Sequence, residues 1–213
     1  MLEVKNATVK MGQQTLFSGL SFSVDDGQMV CLTGGSGCGK TTLLRAMLGF
    51  VPLEEGHICI DGEPLTVASA EEFRKYMSYV PQDLAFPCEW VHEMVKMPFG
   101  LAVNRGKTFS KDKMMKEWGK LGIDESLYDK RLRELSGGQR QRIAVAVCGM
   151  LGKAIVLADE PTSALDERSA DLVADYFRQM ASKGASVVMV SHQERMAKAC
   201  DKTISLDGCG YDN

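Results

Sequence analysis

The chain has 213 residues, of which 45% are hydrophobic and 25% charged, and carries a net charge of −3. That length suits one domain, or one domain with an inserted subdomain, and the composition is that of an ordinary soluble globular protein. The slight acidity argues against non-specific nucleic-acid binding as the main task. The N-terminus lacks a basic-then-apolar leader, and no run approaches the roughly 18 apolar residues a membrane helix needs. A cytoplasmic protein is expected, with any membrane span supplied by another chain.

Residues 2–24 alternate apolar and polar positions, with Leu2, Val4, Phe17, Leu20, Phe22 and Val24 on one side and breaks at Gly12 and Asp25-Asp26-Gly27. This predicts a small antiparallel sheet. An apolar run, Met29-Val30-Cys31-Leu32, then enters Thr33-Gly34-Gly35-Ser36-Gly37-Cys38-Gly39-Lys40-Thr41-Thr42, which is followed by a helical segment at 43–48. A glycine-rich turn between strand and helix is a phosphate-binding loop. Its glycines let several N–H groups crowd around one anion, and the helix N-terminus favours negative charge. Lys40 would reach the β- and γ-phosphates, and the Thr41 hydroxyl would bind Mg²⁺.

A strand at 57–60, an Asp61-Gly62 turn, a helix near 69–76 and a strand at 77–80 follow. From 81 to 133 the strand signals vanish. Met114, Met115, Trp118 and Leu121 recur at helical spacing behind Ser110, a candidate N-cap, so the segment reads as an inserted helical subdomain with a Met–Trp core stripe. Arg105, Lys107, Lys111, Lys113 and Lys116 form a basic run, read as a solvated face with attraction to anionic headgroups as the functional alternative. Beyond it, helices near 138–148 and 167–180 alternate with strands at 154–158, 187–190 and 203–206. That pattern predicts a largely parallel sheet covered on both faces, with ligand at the carboxyl ends of its strands.

Cysteines at 31, 38, 59, 88, 148, 200 and 209 show no Cys-x-x-Cys pair, so they read as small apolar residues in a reducing compartment. Cys38 differs, since its oxidation inside the loop would block a nucleotide. The strand at 154–158 runs into Asp159-Glu160. Asp159 is placed to hold Mg²⁺ through its water shell, and Glu160 to polarise an attacking water. Leu135-Ser136-Gly137-Gly138-Gln139 opens a helix and offers a second anion-binding surface. One nucleotide already has its loop, so this surface is best explained as serving the nucleotide of another subunit.

With these residues in view, the chain resembles the ATP-binding cassette (ABC) family over about residues 2–206. Gly34 to Thr41 matches Walker A, Asp159-Glu160 ends Walker B, and Leu135 to Gln139 matches the signature. Gln82 matches the Q-loop glutamine, Ser163 to Asp166 the D-loop, and His192 the switch histidine. The resemblance implies an α/β P-loop NTPase with a mainly parallel sheet, an N-terminal antiparallel β subdomain and an inserted α-helical subdomain. Residues 1–80 and 134–213 would form the ATPase core, and 81–133 the insertion.

The resemblance also implies ATP and Mg²⁺, with Gly34, Gly35, Ser36, Gly37, Cys38, Gly39, Lys40, Thr41 and Thr42 around the phosphates. Thr41, Gln82 and Asp159 would hold the metal, and Glu160, His192 and Gln82 would serve catalysis. Two copies would pair head to tail, presenting Ser136, Gly137, Gly138, Gln139 and Asp166 to each other's nucleotide. At the adenine, the family's usual aromatic is replaced by Met11, a thioether that packs on a base with less stacking.

A transporter motor bound to a membrane permease is the leading expectation, leaning towards export, lipoprotein-release or metal systems. The apolar loop from Leu84 to Trp90 is its expected docking surface. A stand-alone ATPase of cofactor assembly or cell division is the alternative. A GTPase or small-molecule kinase finds no Asn-Lys-x-Asp guanine reader here.

Overall fold

The computed structural model describes residues 1–207, so Cys209 lies outside the described residues. In chain order the strands and helices are β1 (Leu2–Met11), β2 (Gln14–Val24), β3 (Met29–Thr33), α1 (Lys40–Met47), β4 (Glu55–Ile60), β5 (Glu63–Pro64), α2 (Ala70–Arg74), β6 (Met77–Val80), α3 (Val91–Lys96), α4 (Lys111–Lys120), α5 (Gly137–Leu151), β7 (Ile155–Asp159), α6 (Glu167–Ala181), β8 (Ser186–Val190), α7 (Glu194–Ala199) and β9 (Lys202–Ser205). They form an antiparallel sheet in the order β2-β1-β4-β5 and a parallel sheet in the order β6-β7-β8-β3-β9.

The alternation along the parallel strands sets the layers. Successive side chains of a strand point to opposite faces. Accordingly Cys31, Val156, Ala158, Val187 and Met189 enter one core with α5 and α6, while Val30, Leu32, Ile155, Leu157, Val188 and Val190 enter another with α1 and the antiparallel sheet. Every residue of β7 and β8 is buried, which is why these strands read as unbroken apolar runs.

The Met–Trp stripe of α4 is core: Met114, Trp118 and Leu121 are fully buried in the same cluster as Ile143 of α5 and Phe177 of α6. Residues 81–133 therefore pack onto the face of the parallel sheet that α5 and α6 cover. Ser110 caps α4 by accepting the Lys113 N–H at 3.4 Å.

The structure also departs from the sequence reading. The strand near 57–60, which the sequence reading assigns to neither sheet, joins the antiparallel one, pairing Leu2 with Ile60 and Val4 with Ile58. The helix expected at 69–76 shrinks to Ala70–Arg74. An unforeseen helix, α3, begins where the Glu93 carboxylate accepts the Trp90 and Glu89 N–H groups at 3.0 and 3.1 Å. Among the described residues, no helix is long and apolar enough to cross a membrane.

Candidate nucleotide-binding site

A cleft of about 670 Å³ opens at the carboxyl ends of the parallel strands, within the size range of small-molecule sites. It begins at the turn from β3 into α1. Gly39 takes a left-handed conformation at φ 99° and caps α1 without a side chain. A Cβ there would stand 3.0 Å from Leu16 Cβ and from Phe17 Cδ1, so only glycine lets β2 pack this closely. The leading amides of α1 consequently meet the cleft with no side-chain cap, a natural anion site.

Lys40 is only 6% exposed. Its Nζ donates to the Gly34 and Gly35 carbonyl oxygens at 2.8 and 2.7 Å, and it forms no ion pair among the described residues. A buried ammonium answered by carbonyl dipoles and no carboxylate is short of negative charge, so the loop suits a phosphate. Cys38 Sγ lies 3.7 Å from the same amine, which places a thiol against the group that would hold the phosphate.

Asp159, the last residue of β7, is 1% exposed, and its Oδ1 has no hydrogen-bond partner. Its Oδ2 accepts the Tyr79 hydroxyl at 3.4 Å. Burial, followed by the Asp159 charge, pushes that phenol up to about 12, so it remains a donor. An orphaned buried carboxylate oxygen facing a cleft lined by Thr41 and Gln82 is what a hydrated divalent cation needs.

Glu160 sits at φ 49°, an uncommon conformation for a residue with a side chain. Its N–H is fixed by the Val190 carbonyl at 3.0 Å, and its own carbonyl accepts the Ser163 N–H at 3.2 Å. The Oε1 atom is buried without an aligned donor, although His192 Nε2 stands 3.3 Å away. Burial raises the Glu160 carboxyl above its ordinary range, against the pull of the His192 imidazole and backbone N–H.

That shift makes a stability prediction. Because the folded state holds this proton more tightly than the unfolded one, stability is lost as pH rises from the unfolded value through the raised folded value. Glu160→Gln escapes the loss. Its melting temperature should match the parent's at pH 4 and exceed it at pH 8. A difference independent of pH would contradict the shift.

The cleft collects Met11, Ser36, Gly37, Gly39, Lys40, Thr41, Thr42, Gln82, Asp159, Glu160 and His192 from positions far apart in the chain. Met11, at the end of β1, is 64% exposed there. Gly34, Gly35 and Cys38 do not line it. Neither do Ser136, Gly137, Gly138, Gln139 and Asp166.

Ser136 and Gln139 instead form a reciprocal cap at the start of α5: the Gln139 N–H donates to the Ser136 hydroxyl at 3.2 Å, and the Ser136 N–H to Gln139 Oε1 at 2.9 Å. A Cβ on Gly138 would fall 2.8 Å from the Ala164 carbonyl oxygen, so glycine permits this close seat against the loop 163–166. Asp166 caps α6 through the Ser169 N–H at 2.7 Å, a bond that holds its carboxyl below the usual range. Ser136 and Gly137 stay exposed.

Sequence reasoning passed over three contributors. Tyr79, on the strand that leads to Gln82, carries no sequence signal for its hydrogen bond to Asp159. Gln193 exchanges bonds with Thr162 at 3.0 and 3.3 Å and lines the cleft. Asp207 accepts the Gly35 N–H at 2.8 Å, a contact made possible only by β9 lying beside β3.

The sequence profile of the ABC transporter family matches residues 17–163. The chain belongs to the ABC transporter family. It is 32% identical over 97% of its length to the bacitracin export ATP-binding protein of Halalkalibacterium halodurans, covering 84% of that protein. It is also 32% identical over 97% of its length to the spermidine/putrescine import ATP-binding protein of Chromobacterium violaceum, covering 56% of it. Among the first curated relatives it matches, the chain spans 40% to 58% of their length. A solved dimeric ATP-binding cassette in a post-hydrolysis state with ADP and Pi superposes with a TM-score of 0.83 at 26% identity, over 96% of this ABC chain and 94% of that one. The fold is that of ABC ATPase cassettes.

Proposed function

We propose that this chain is the ATP-binding and ATP-hydrolysing subunit of an ABC transporter, pairing head to tail with a second copy around two Mg-ATP to drive a separate membrane permease. One observation carries the reading. The phosphate loop, Asp159, Glu160, His192 and Gln82 share one cleft, while the anion-binding start of α5 is exposed elsewhere and has no nucleotide of its own to serve. A second copy supplies it.

In this scheme the α1 amides and Lys40 hold the phosphates, and Met11 packs on the base. Thr41, Gln82 and Asp159 would hold Mg²⁺, which would supply positive charge to the phosphate oxygens. Glu160 orients a water and takes its proton as the oxygen attacks the γ-phosphorus and the bond to the leaving ADP oxygen breaks. His192, half-exposed and 3.3 Å from Glu160, is placed to contact the γ-phosphate and fix the carboxylate. Residues 81–133 act as a helical subdomain that carries Gln82's signal to the permease. The chain then works in the cytoplasm at the inner face of the membrane, with no nucleic-acid partner. The reading leans towards an export permease, of lipoprotein-release or metal type; the bacitracin export relative supports that lean, and the spermidine/putrescine import relative stands on the other side.

We place the docking surface at an apolar groove beside the loop from Leu84 to Trp90, a loop that itself lines a separate depression of about 600 Å³. Of that loop Phe86 also reaches the groove, a more apolar cavity of about 290 Å³ whose other walls include Leu48, Phe50, Pro98, Leu101 and Val103. Phe50 and Leu101 are 64% and 51% exposed, large apolar side chains at the edge of a groove that no described residue covers. Covering such a side chain is worth about 1.5–3 kcal/mol. The double substitution Phe50→Glu and Leu101→Glu should therefore weaken co-purification with the permease at least ~10-fold while the free chain's hydrolysis is unchanged. Undiminished co-purification would exclude this groove.

A further inference from the structure

Beside that groove, and sharing Val103 and Asn104 with it, lies a depression of about 500 Å³ into which Lys75, Arg105, Lys107 and Lys153 converge against a single acid, Glu71. Its floor is unusual. Lys153 is 7% exposed, and its ammonium donates to the Lys75 and Val103 carbonyl oxygens at 2.6 and 3.2 Å, with no carboxylate partner. A Lys ammonium has three donors. The third has no protein acceptor among the described residues. Burial lowers this amine from its ordinary range, with Lys107 adding to the effect. Arg105 and Lys107 are exposed and form no ion pair among the described residues, whereas Lys75 is paired with Glu72. An uncompensated, partly buried cluster of this kind selects a compact anion with several acceptor oxygens, which is the chemistry of a phosphate.

We propose that this pocket receives the phosphate of an anionic phospholipid headgroup, steadying the subunit against the membrane while the adjoining groove engages the permease. The choice of a lipid over a free anion rests on the docking reading, because Val103 and Asn104 line both cavities and so set the basic pocket directly beside the groove assigned to the permease. Each basic residue near an anionic surface contributes about fivefold in affinity. The sequence's basic run thus divides: Arg105 and Lys107 belong to a built pocket, while Lys113 and Lys116 stand exposed on α4.

The test is sedimentation of the full chain with phosphatidylglycerol vesicles and with phosphatidylcholine vesicles at low salt, without permease. The parent should bind the former only. Arg105→Gln with Lys107→Gln should weaken that binding by about 30-fold, and Lys113→Gln with Lys116→Gln, which removes the same charge, by less than a third of that. Equal losses in the two pairs would reduce the effect to diffuse charge and overturn the pocket. So would failure of the parent to bind. Displacement by inorganic phosphate matched to the lipid phosphate, at constant ionic strength, would assign the pocket to a soluble anion and overturn the membrane role. Co-purification of the Phe50 and Leu101 variant with the permease tests the docking reading separately, so either idea can fail alone.

Discussion

Glu160→Gln should slow ATP hydrolysis by about 10²–10⁴-fold, the usual contribution of a positioned general base, while ATP still binds. The substitution keeps the size and shape of the side chain and removes its charge and its ability to take a proton, one acceptor oxygen becoming an amide donor. The backbone fixing the residue, through Val190 and Ser163, does not depend on the carboxylate. Binding rests on other groups, the α1 amides and the Lys40 ammonium held between Gly34 and Gly35. Steady-state phosphate release beside equilibrium nucleotide binding measures the two halves. A mutant retaining a third of the parent's turnover would place the base elsewhere. Loss of binding would mean that Glu160 shapes the loop itself.

Ser136→Asp should abolish ATP-driven pairing, weakening it by about 100-fold or more, with the fold of the monomer intact. Aspartate caps helices as well as serine, so the bond from the Gln139 N–H survives and α5 keeps its start. What changes is the sign of the surface. A carboxylate now faces the position proposed for the partner copy's phosphates, and like charges brought together in an interface cost several kcal/mol. A neutral effect would remove Ser136 from the interface.

Much of this site could be read from order along the chain. A glycine-rich turn between an apolar strand and a helix, and two acids at the end of a buried strand, are local patterns, and the structure brings Lys40, Asp159 and Glu160 to one cleft. Burial of β7 and β8 on both faces likewise leaves its mark as continuous apolar runs. What escaped reading was non-local. The pairing of β4 with β1 joins Leu2 to Ile60 and Val4 to Ile58, partners far apart in the chain that the six residues of β4 do not encode. Asp207 reaches Gly35 across 172 residues because β9 is the outer neighbour of β3. The apolar groove draws Phe50, Phe86 and Leu101 from three separate segments, so the apolar loop near residue 84 was the visible fragment of a surface assembled in space. Met11 shows the intermediate case: its place at the end of β1 was legible, while its exposure at the rim of the cleft needed the fold.

The central claim is that the site is completed by a second copy. Size-exclusion chromatography of the Glu160→Gln chain, with and without ATP and Mg²⁺, tests it most directly. The account predicts a monomer that becomes a dimer only with nucleotide, and reverts to a monomer when Ser136→Asp is added to the same chain. A Glu160→Gln chain that binds ATP yet elutes as a monomer, alone and with the permease present, would contradict it.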